Sequence, residues 1–414
     1  MTDTQGLPAR NAALRLLDAA LRRGEPIDTA ASHALKGLRP PDAGLARAIA
    51  AETLRWLTDI DALIDSATRQ PLPDDAKARM ILRAMLAQAL RLETPAHAVI
   101  ATGLPLLSGG PRRLAHGVFS TLMKEGRGLP EAPTLPPRVA MRWDYRSEGE
   151  LAAISRGLRE PPPLDLTLKN RTSGEEWSEK LGGELVAPGR LRLPRGTAVE
   201  QLEGFSQGAW WVQDAAASIP ADLLGNGDGR RALDLCAAPG GKTMQLAAAG
   251  WATTALDISD RRLQRMARNL ERTNLSANIV KADAMAWEPK EKFDAILIDA
   301  PCSATGTCRR HPEVLHRVTE RQIAEFAEKQ AAMLTRAADW LAPGGRLVYA
   351  VCSMEREEGE AIAEAFSALE PHPVAVRELP EGIEPNPDGT VRTTPAMWPA
   401  KGGIDGFFIA RWSA

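Results

Sequence analysis

Two cysteines follow apolar runs of the kind that form buried strands. Cys302 occurs in LIDAPCSATGT and Cys352 in LVYAVCSME, and both lie downstream of a glycine-rich turn, ALDLCAAPGGKT. A cysteine thiolate is a strong nucleophile, and side chains at strand ends are well placed to meet a ligand. The pattern predicts covalent chemistry beside a bound cofactor.

The glycine-rich turn predicts a strand, a tight bend and a helix. The segment from Ala232 to Leu235 is typical of a short buried strand, while Pro239, Gly240 and Gly241 allow a sharp bend into a helix that starts near Lys242. The N-terminus of such a helix favours anionic or polar ligands, because its first backbone N–H groups have no partner within the helix. We therefore expect a ligand at this turn.

Three further strand-like runs end in a carboxylate. TTALD ends in Asp257, NIVKAD in Asp283 and FDAILID in Asp299. Nucleotide-binding α/β folds place an acid that accepts the ribose hydroxyls at the position of the first of these, and strand ends line the crevice of an open parallel sheet. Each aspartate alone could be a solvated loop residue, but the ordered series favours a ligand that contains adenosine.

The sequence GGKT followed by LIDAP could be mistaken for the phosphate loop and magnesium-binding acid of an ATPase. A phosphate loop has the pattern GxxxxGK, and Cys236 occupies the position of its first glycine. Pro239 also removes a backbone donor that the phosphates would use. The spacing argues against an ATPase.

The two cysteines suit one methylation reaction in particular. An exocyclic amine can attack a methyl donor directly, whereas carbon 5 of a pyrimidine must first be activated by a thiolate that adds to carbon 6. Methylases of amines tend to place an aromatic residue after the proline of the Asp-X-Pro loop, where this chain has Cys302, and Cys352 lies at the next strand end. The alternative is that each cysteine is a small buried hydrophobic residue.

The cysteine pair and the motifs around it resemble the NOL/NOP/Sun family of RNA cytosine-5 methyltransferases over most of the chain. The resemblance implies S-adenosylmethionine as the cofactor. It assigns the cofactor to the turn CAAPGGK and the three strand-end acids, which are Cys236, Ala237, Ala238, Pro239, Gly240, Gly241, Lys242, Asp257, Asp283 and Asp299.

The same resemblance assigns the catalytic roles. It makes Cys352 the nucleophile, gives Cys302 the release of the methylated product and places Asp299 at the edge of the cytosine. The residues alone do not decide which cysteine is the nucleophile, because DNA cytosine methylases attack with the cysteine that follows proline. Two positions depart from the family pattern, since Val351 replaces a threonine and Gly359 an asparagine. Neither change removes a reacting group.

Contacts to RNA are predicted at two places. Arg309, Arg310 and His311 follow a flexible loop, where guanidinium groups could hold phosphates or stack on a base that has left its helix. Lys169 and Asn170 end the first strand of a smaller module. A solvated basic loop and simple surface exposure are the alternatives.

Composition limits the class of protein. The chain has 414 residues, a formal net charge of -2 and four cysteines without the spacing of a disulfide framework or a zinc site. Near neutrality predicts RNA binding through local patches and a shaped pocket rather than bulk charge. No metal is expected. The start, MTDTQGLPAR, lacks the apolar core of a signal peptide, so we expect a soluble, cytoplasmic protein.

Patterning along the chain predicts three domains. Apolar residues at helical spacing indicate an all-α domain over residues 1–130, which by resemblance is an RNA-binding NusB-like domain. After a proline-rich linker, residues 139–225 predict a small α/β RNA-binding module. Residues 226–414 predict a doubly wound α/β domain, by resemblance the Rossmann-like class I methyltransferase fold, with seven strands of which the last are antiparallel.

The sequence thus predicts an S-adenosylmethionine-dependent RNA cytosine-5 methyltransferase. The helical first domain favours small-subunit (16S) ribosomal RNA as the substrate. The same reaction on transfer RNA is one alternative, and a non-catalytic RNA-binding assembly factor that retains a methylase shell is another. The sequence leaves the oligomeric state open.

Overall fold

A computed structural model describes residues 6–414 of the chain. Residues 1–5, the first half of the segment used to predict the absence of a leader, lie outside the described residues. The helices are α1 (Leu7–Arg23), α2 (Ile27–Ala34), α3 (Pro40–Arg55), α4 (Leu57–Ser66), α5 (Lys77–Leu90), α6 (Ala96–Gly103), α7 (Gly109–Lys124), α8 (Pro137–Arg142), α9 (Glu148–Gly157), α10 (Gly174–Leu181), α11 (Ala215–Asp222), α12 (Gly241–Ala248), α13 (Asp260–Thr273), α14 (Val314–Arg317), α15 (Glu320–Asp339) and α16 (Glu360–Ala365).

Strands begin only after the first nine of these helices. They are β1 (Leu164–Leu168), β2 (Glu184–Ala187), β3 (Arg190–Leu193), β4 (Trp210–Val212), β5 (Arg231–Leu235), β6 (Ala252–Asp257), β7 (Asn278–Lys281), β8 (Phe293–Asp299), β9 (Leu341–Val351), β10 (Glu370–Pro371), β11 (Val391–Thr393) and β12 (Phe407–Ser413).

The chain forms two compact units. The first contains the described residues up to Glu160 together with Cys308–Val318, and the second contains Pro161–Thr307 and Thr319–Ala414. Residues 139–160, which the sequence groups with the small module, lie in the first unit, whereas 161–225 lie in the second. The three domain boundaries stay a prediction.

The first unit is helical, which confirms the all-α prediction. Its helices bury one apolar face each; α1, for example, buries Ala9, Ala13, Leu16 and Ala20, spaced three or four residues apart. Because a single helix cannot shield such a face from water, α1 packs on α2, α3 and α5. Burial of this stripe gives the unit its core.

The segment Cys308–Val318 is held in the helical unit by polar contacts. His316 Nε2 lies 2.7 Å from the carbonyl oxygen of Leu54, and Arg55 Nη2 donates to the carbonyl of Arg309 at 2.7 Å. Burial lowers the pKa of His316, so the neutral imidazole donates its Nε2–H to that carbonyl. This segment, which follows the Cys302 loop in the chain, therefore packs as part of the helical unit.

The second unit contains a small antiparallel sheet in the order β2-β3-β1-β4. Leu166 and Leu168 point into its core beside Trp210, as the alternation along β1 requires. On the other face, Arg192 donates to both carboxylate oxygens of Asp165 at 2.6 and 2.7 Å, and both side chains are buried. A bidentate buried pair of this kind fixes the register of β1 against β3.

The larger sheet has the order β10-β12-β9-β8-β5-β6-β7, and β11 also pairs with β12. Strands β5 to β9 are parallel, and β12 runs antiparallel to β9. The doubly wound α/β prediction and the antiparallel last strands are confirmed. The predicted strand number of seven is wrong, because the sheet has eight strands. The chain after α16 forms two short strands, β10 and β11, beside β12.

Alternate residues of the central strands pack into two hydrophobic cores, one on each face of the sheet. Ala295 and Leu297 of β8 pack with α11 on one face, whereas Ile296 and Ile298 pack with α15 on the other. Such strands read as continuous apolar runs because both faces are covered. β5 lies between β6 and β8, so the turns after β5 and β8 leave in opposite directions and open a crevice at their carboxyl ends.

Within residues 6–414, no helix is long and apolar enough to cross a membrane. Over the same range, no three His, Cys, Asp or Glu side chains gather in a way that could hold a metal ion.

Candidate active site

The turn from β5 to α12 brings the backbone close to α13. Cys236 has φ +60° and Gly240 has φ +102°, both in the left-handed region. A Cβ at Gly240 would lie 2.5 Å from Cγ of Met266, so only glycine fits this position. α12 then begins at Gly241, and its first N–H groups lie at the carboxyl edge of the sheet.

The remaining residues of the CAAPGGK turn differ in exposure. Ala237 and Ala238 are buried, whereas Pro239 is exposed and Gly241 and Cys236 are partly buried. Ala238 donates its N–H to Oδ2 of Asp257 at 3.1 Å. The turn after β5 is thereby tied to the end of β6, as expected for neighbouring parallel strands.

The two outer acids lie at the carboxyl ends of β6 and β7, Asp257 as the last residue of β6 and Asp283 two residues after β7. Asp257 is 2% exposed, and its Oδ1 accepts the N–H of Ser259 at 2.8 Å. Asp283 is exposed, and its Oδ1 accepts the N–H of Met285 at 2.9 Å. Ile258, directly after Asp257, is 65% exposed, which is unusual for isoleucine. At this place the carboxyl edge of the sheet therefore presents two carboxylates and an exposed apolar side chain.

Lys242 and Asp299 form an ion pair in the crevice. Lys242 Nζ lies 2.8 Å from Oδ2 of Asp299. Burial would lower the pKa of the Lys242 ammonium, but the charge and hydrogen bond of Asp299, together with the charges of Cys352 and Asp234, raise it. Lys242 is therefore a buried cation, and it connects the β5 turn, the end of β8 and the cysteine after β9.

Asp234 lies in β5 and is fully buried, and its charge is one of the causes that raise the pKa of Lys242. Its Oδ2 accepts the Thr243 hydroxyl at 2.6 Å, while Oδ1 is buried without a hydrogen-bond partner among the described residues. Burial is the main cause that raises the pKa of Asp234 to about 7, and the hydrogen bond from Thr243 opposes it. A buried carboxylate oxygen without a donor is a candidate acceptor for a polar ligand group.

We expect Asp234 to make the folding stability depend on pH. Its folded pKa of about 7 exceeds the unfolded value of about 3.9. Its stabilising contribution is therefore complete below the unfolded pKa and is lost as pH rises through the folded pKa. Urea unfolding between pH 5 and 8.5 should show that Asp234→Asn gains stability relative to the native chain up to about pH 7 and levels off above it. Parallel curves for the two proteins would contradict this.

The two cysteines predicted to react lie side by side. The sulfur atoms of Cys302 and Cys352 are 3.5 Å apart, although the residues are separated by 50 positions in the chain. β8 and β9 are neighbouring parallel strands, so the loops that follow them leave the same edge of the sheet. The structure brings together both cysteines, Asp299 and Lys242.

The two thiols have different surroundings. The hydrogen bond with Cys352 is the first cause that raises the pKa of Cys302 well above its usual value, followed by burial. Cys302 is therefore a neutral thiol at neutral pH. The charge of Cys352, in contrast, is one of the causes that raise the pKa of Lys242.

The other two cysteines lie apart from this pair. Cys236 is close to Met333, with 3.9 Å between the two sulfur atoms, and burial raises its pKa to about 12. Cys308 is buried in the helical unit. Cys236 contributes to the turn after β5 through its backbone, as its positive φ shows.

The structure separates the predicted RNA contacts after Cys302. Arg309 is 1% exposed inside the helical unit, so its side chain does not reach a surface where RNA could bind. Arg310 and His311 are partly exposed. Burial would lower the pKa of His311, but Glu313 more than offsets this and raises it. Arg310 and His311 remain predicted contacts, whereas Arg309 has a packing position.

The second predicted pair is also engaged within the chain. Lys169 Nζ donates to the carbonyl of Thr273 at 2.7 Å, which satisfies a carbonyl at the end of α13. The Asn170 side-chain oxygen accepts the N–H of Thr172 at 3.1 Å in a turn. A contact from either side chain to RNA stays a prediction.

Two polar residues at the site were missed by the sequence reasoning. Asp234 lies inside the apolar run that predicts β5, so the pattern alone suggested a core position. Glu358 accepts hydrogen bonds from both cysteine loops, but it occurs in a run of acidic residues that resembles a solvated helix. A charged residue within an otherwise apolar strand was the available signal for Asp234.

Family comparisons match both units. The model of the family described as 16S rRNA methyltransferase RsmB/F matches residues 221–413. The model of the NusB family matches residues 7–106. The first range contains the β5 turn, the acids and both cysteines, and the second contains α1 to α6.

Individual proteins match over nearly the whole chain. Ribosomal RNA small subunit methyltransferase B of Xanthomonas campestris pv. campestris is 32% identical over 88% of this chain and 89% of its own length. The protein of the same description from Xylella fastidiosa is also 32% identical, over 99% of this chain and 98% of its own. The crystal structure of PH0851 has a TM-score of 0.73 at 23% identity, over 98% of this chain and 99% of that one, which is a likeness of fold alone.

Proposed function

The chain belongs to the family of the ribosomal RNA small subunit methyltransferases B, and on that premise we propose that it transfers a methyl group from S-adenosylmethionine to carbon 5 of a cytosine in small-subunit ribosomal RNA. Methylation of ribosomal RNA is the activity named for the relatives. The cytosine, its carbon 5 and the covalent route rest on the site itself. The observation that carries them is the pair of cysteine sulfurs 3.5 Å apart beside the Lys242–Asp299 ion pair.

The crevice fits S-adenosylmethionine by its own chemistry. The turn after β5 leads directly into α12, and the first N–H groups of this helix can donate to a polar ligand group at the carboxyl edge of the sheet. The buried unsatisfied Oδ1 of Asp234 provides an acceptor. Asp257 lies where ribose hydroxyls are expected, and Ile258 offers an apolar surface for a base. The cofactor would be held by residues 236–242 with Asp257, Asp283 and Asp299, and when bound it supplies the methyl group.

Cys352 is the proposed nucleophile. Its thiolate adds to carbon 6 of the cytosine, which makes carbon 5 electron-rich enough to accept a methyl group. Lys242 is a buried cation whose charge interacts with that of Cys352. Asp299, held by Lys242 at 2.8 Å, can accept a hydrogen bond from the cytosine amino group and so orient the ring.

Cys302 is proposed to act in product release. After methylation, carbon 5 must lose its proton before the Cys352 sulfur can leave carbon 6. Cys302 lies 3.5 Å from that sulfur. As a thiolate it accepts the carbon 5 proton and becomes a thiol, the double bond between carbons 5 and 6 re-forms, and the Cys352 sulfur leaves carbon 6 as a thiolate. Both roles require the target nucleotide to leave its helix, because carbon 6 is shielded within a base stack.

The proposal is tested by identifying the methylated nucleoside. The purified protein is incubated with methyl-labelled S-adenosylmethionine and either unmodified small-subunit ribosomal RNA or transfer RNA, and digested nucleosides are separated by mass spectrometry. Label in 5-methylcytidine from ribosomal RNA is the expected result. Label in another nucleoside would overturn the chemistry, and label in transfer RNA alone would overturn the substrate. Absence of label with either RNA would favour a non-catalytic assembly factor.

A further inference from the structure

Each reactive cysteine is followed by a serine, and both serines bond to one buried carboxylate. Ser303 follows Cys302 and Ser353 follows Cys352. The side chain of Glu358 accepts a hydrogen bond from the hydroxyl of Ser303 and one from the hydroxyl of Ser353 at its Oε2. Ser303, Ser353 and Glu358 are at most 2% exposed. One acid thus joins the loops after β8 and β9.

The second oxygen of Glu358 strengthens the same connection. Oε1 accepts the backbone N–H of Ser303 at 2.8 Å and Nε2 of Gln330 at 3.2 Å. Gln330 in turn donates to the carbonyl of Pro301 at 2.9 Å. The carboxylate therefore has four donors, and three of its contacts lead to the residues on either side of Cys302.

Glu358 itself is held by rigid elements. The Tyr349 hydroxyl lies 2.6 Å from the Glu358 carbonyl oxygen and 3.1 Å from Oε1 of Gln330. Tyr349 is in β9 and Gln330 is in α15, so a strand and a helix fix the acid from two directions. Because Glu358 is held by a strand and a helix, its hydrogen bonds can fix the positions of the two cysteine loops relative to these elements.

The Cys302 loop needs such support. Ala304 has φ +60°, which a residue with a Cβ seldom adopts. Burial raises the pKa of Glu358, while the hydrogen bonds from both serines and Gln330 oppose that shift. Several donors around one acid are what a buried carboxyl requires to remain satisfied. Loss of the acid would leave these donors without an acceptor and free the loop to relax.

We propose that Glu358 is a positioning residue that holds the loops of Cys302 and Cys352 in register, so that the two sulfurs meet at the reacting base. This inference rests on the proposed function for its catalytic consequence, while the pairing of the sulfurs can be measured without it. Glu358 does not touch the reacting atoms; it acts through Ser303 and Ser353.

The first test separates turnover from binding. In Glu358→Ala we expect kcat to fall by about 10²-fold, the loss that follows from misplacing reacting groups by about 1 Å. The KM for RNA and the Kd for S-adenosylmethionine should change little, because the β5 turn is intact. Glu358→Gln should restore most of kcat, since an amide can accept from Ser303 and Gln330 and donate to both serine hydroxyls.

The second test measures the sulfur pair directly. Phenylarsine oxide bridges two neighbouring thiols and releases water, so its uptake by the native chain reports the approach of Cys302 to Cys352. Uptake should be lost in Cys302→Ala, slowed in Glu358→Ala and largely recovered in Glu358→Gln. As a matched control, Glu378→Gln alters a carboxylate that bonds to Arg411 and Ala375 instead, and it should leave both uptake and kcat at native values.

The outcomes are distinguishable. Native kcat or native arsenical uptake in a folded Glu358→Ala protein would overturn the positioning role. If that variant does not fold, Ser353→Ala decides, since it removes one link and should slow uptake and lower kcat by about tenfold; unchanged values would overturn the inference. A native protein that takes up arsenical but methylates no RNA would refute the proposed function, and the uptake series would still test Glu358.

Discussion

Replacing Cys352 with serine should lower methyl transfer to ribosomal RNA by about 10⁴-fold or more, the range seen when an enzyme loses its nucleophile. A serine hydroxyl is far less acidic than a thiol, so too little of its anion forms at neutral pH to attack carbon 6. Binding of S-adenosylmethionine should be retained, because the residues proposed to hold it lie in the turn after β5 and at the ends of β6, β7 and β8, whereas Cys352 follows β9. Transfer of labelled methyl groups and calorimetric titration with the cofactor measure the two effects.

Cys308→Ala is the matched control for this variant. Cys308 is a buried cysteine in the helical unit and has no part in the proposed reaction. Its replacement should leave methyl transfer near the native rate. Full activity in Cys352→Ser would rule out the proposed nucleophile, and loss of cofactor binding in that variant would show that the substitution disturbs more than the sulfur.

Replacing Cys302 with alanine should trap the protein on its substrate. Without the second thiol, release after methylation is slow, so the bond between Cys352 and carbon 6 should accumulate. With S-adenosylmethionine and small-subunit ribosomal RNA, we expect an adduct that survives a denaturing gel, while the native protein gives little. The effect should be large because product release, which normally completes each turnover, becomes the slowest step, and the covalent intermediate accumulates.

The adduct experiment has an internal control. The double variant Cys302→Ala with Cys352→Ala should give no adduct, since the attacking sulfur is absent. An adduct that persists in the double variant would place the bond on another residue. No adduct with ribosomal RNA, but one with transfer RNA under the same conditions, would keep the chemistry and change the substrate.

The sequence determined the order of parts around the crevice. The strands that lead to Asp257, Asp283 and Asp299 were predicted from short apolar runs, and the turn from the glycines around Gly240. These signals are local, because the side chains of a few consecutive residues show whether a strand buries one face or both. The helical first domain and the doubly wound sheet follow from such periodic signals, whereas the family, which is confirmed, was inferred from the resemblance of its motifs. The predicted number of seven strands was wrong because the last part of the sheet contains very short strands, β10 with two residues and β11 with three. Strands of this length give almost no periodic signal in the sequence.

Only the tertiary structure decided which side chains meet. The 3.5 Å approach of Cys302 and Cys352 depends on β8 and β9 being neighbours, a pairing between residues far apart in the chain. The acid that joins their loops, Glu358, cannot be distinguished from its acidic neighbours until its burial is known. Arg309 likewise looked like a basic surface residue, but the structure buries it in the helical unit. The physical reason is that burial and the partners of a charged group are set by contacts distant in sequence, which local periodicity does not encode.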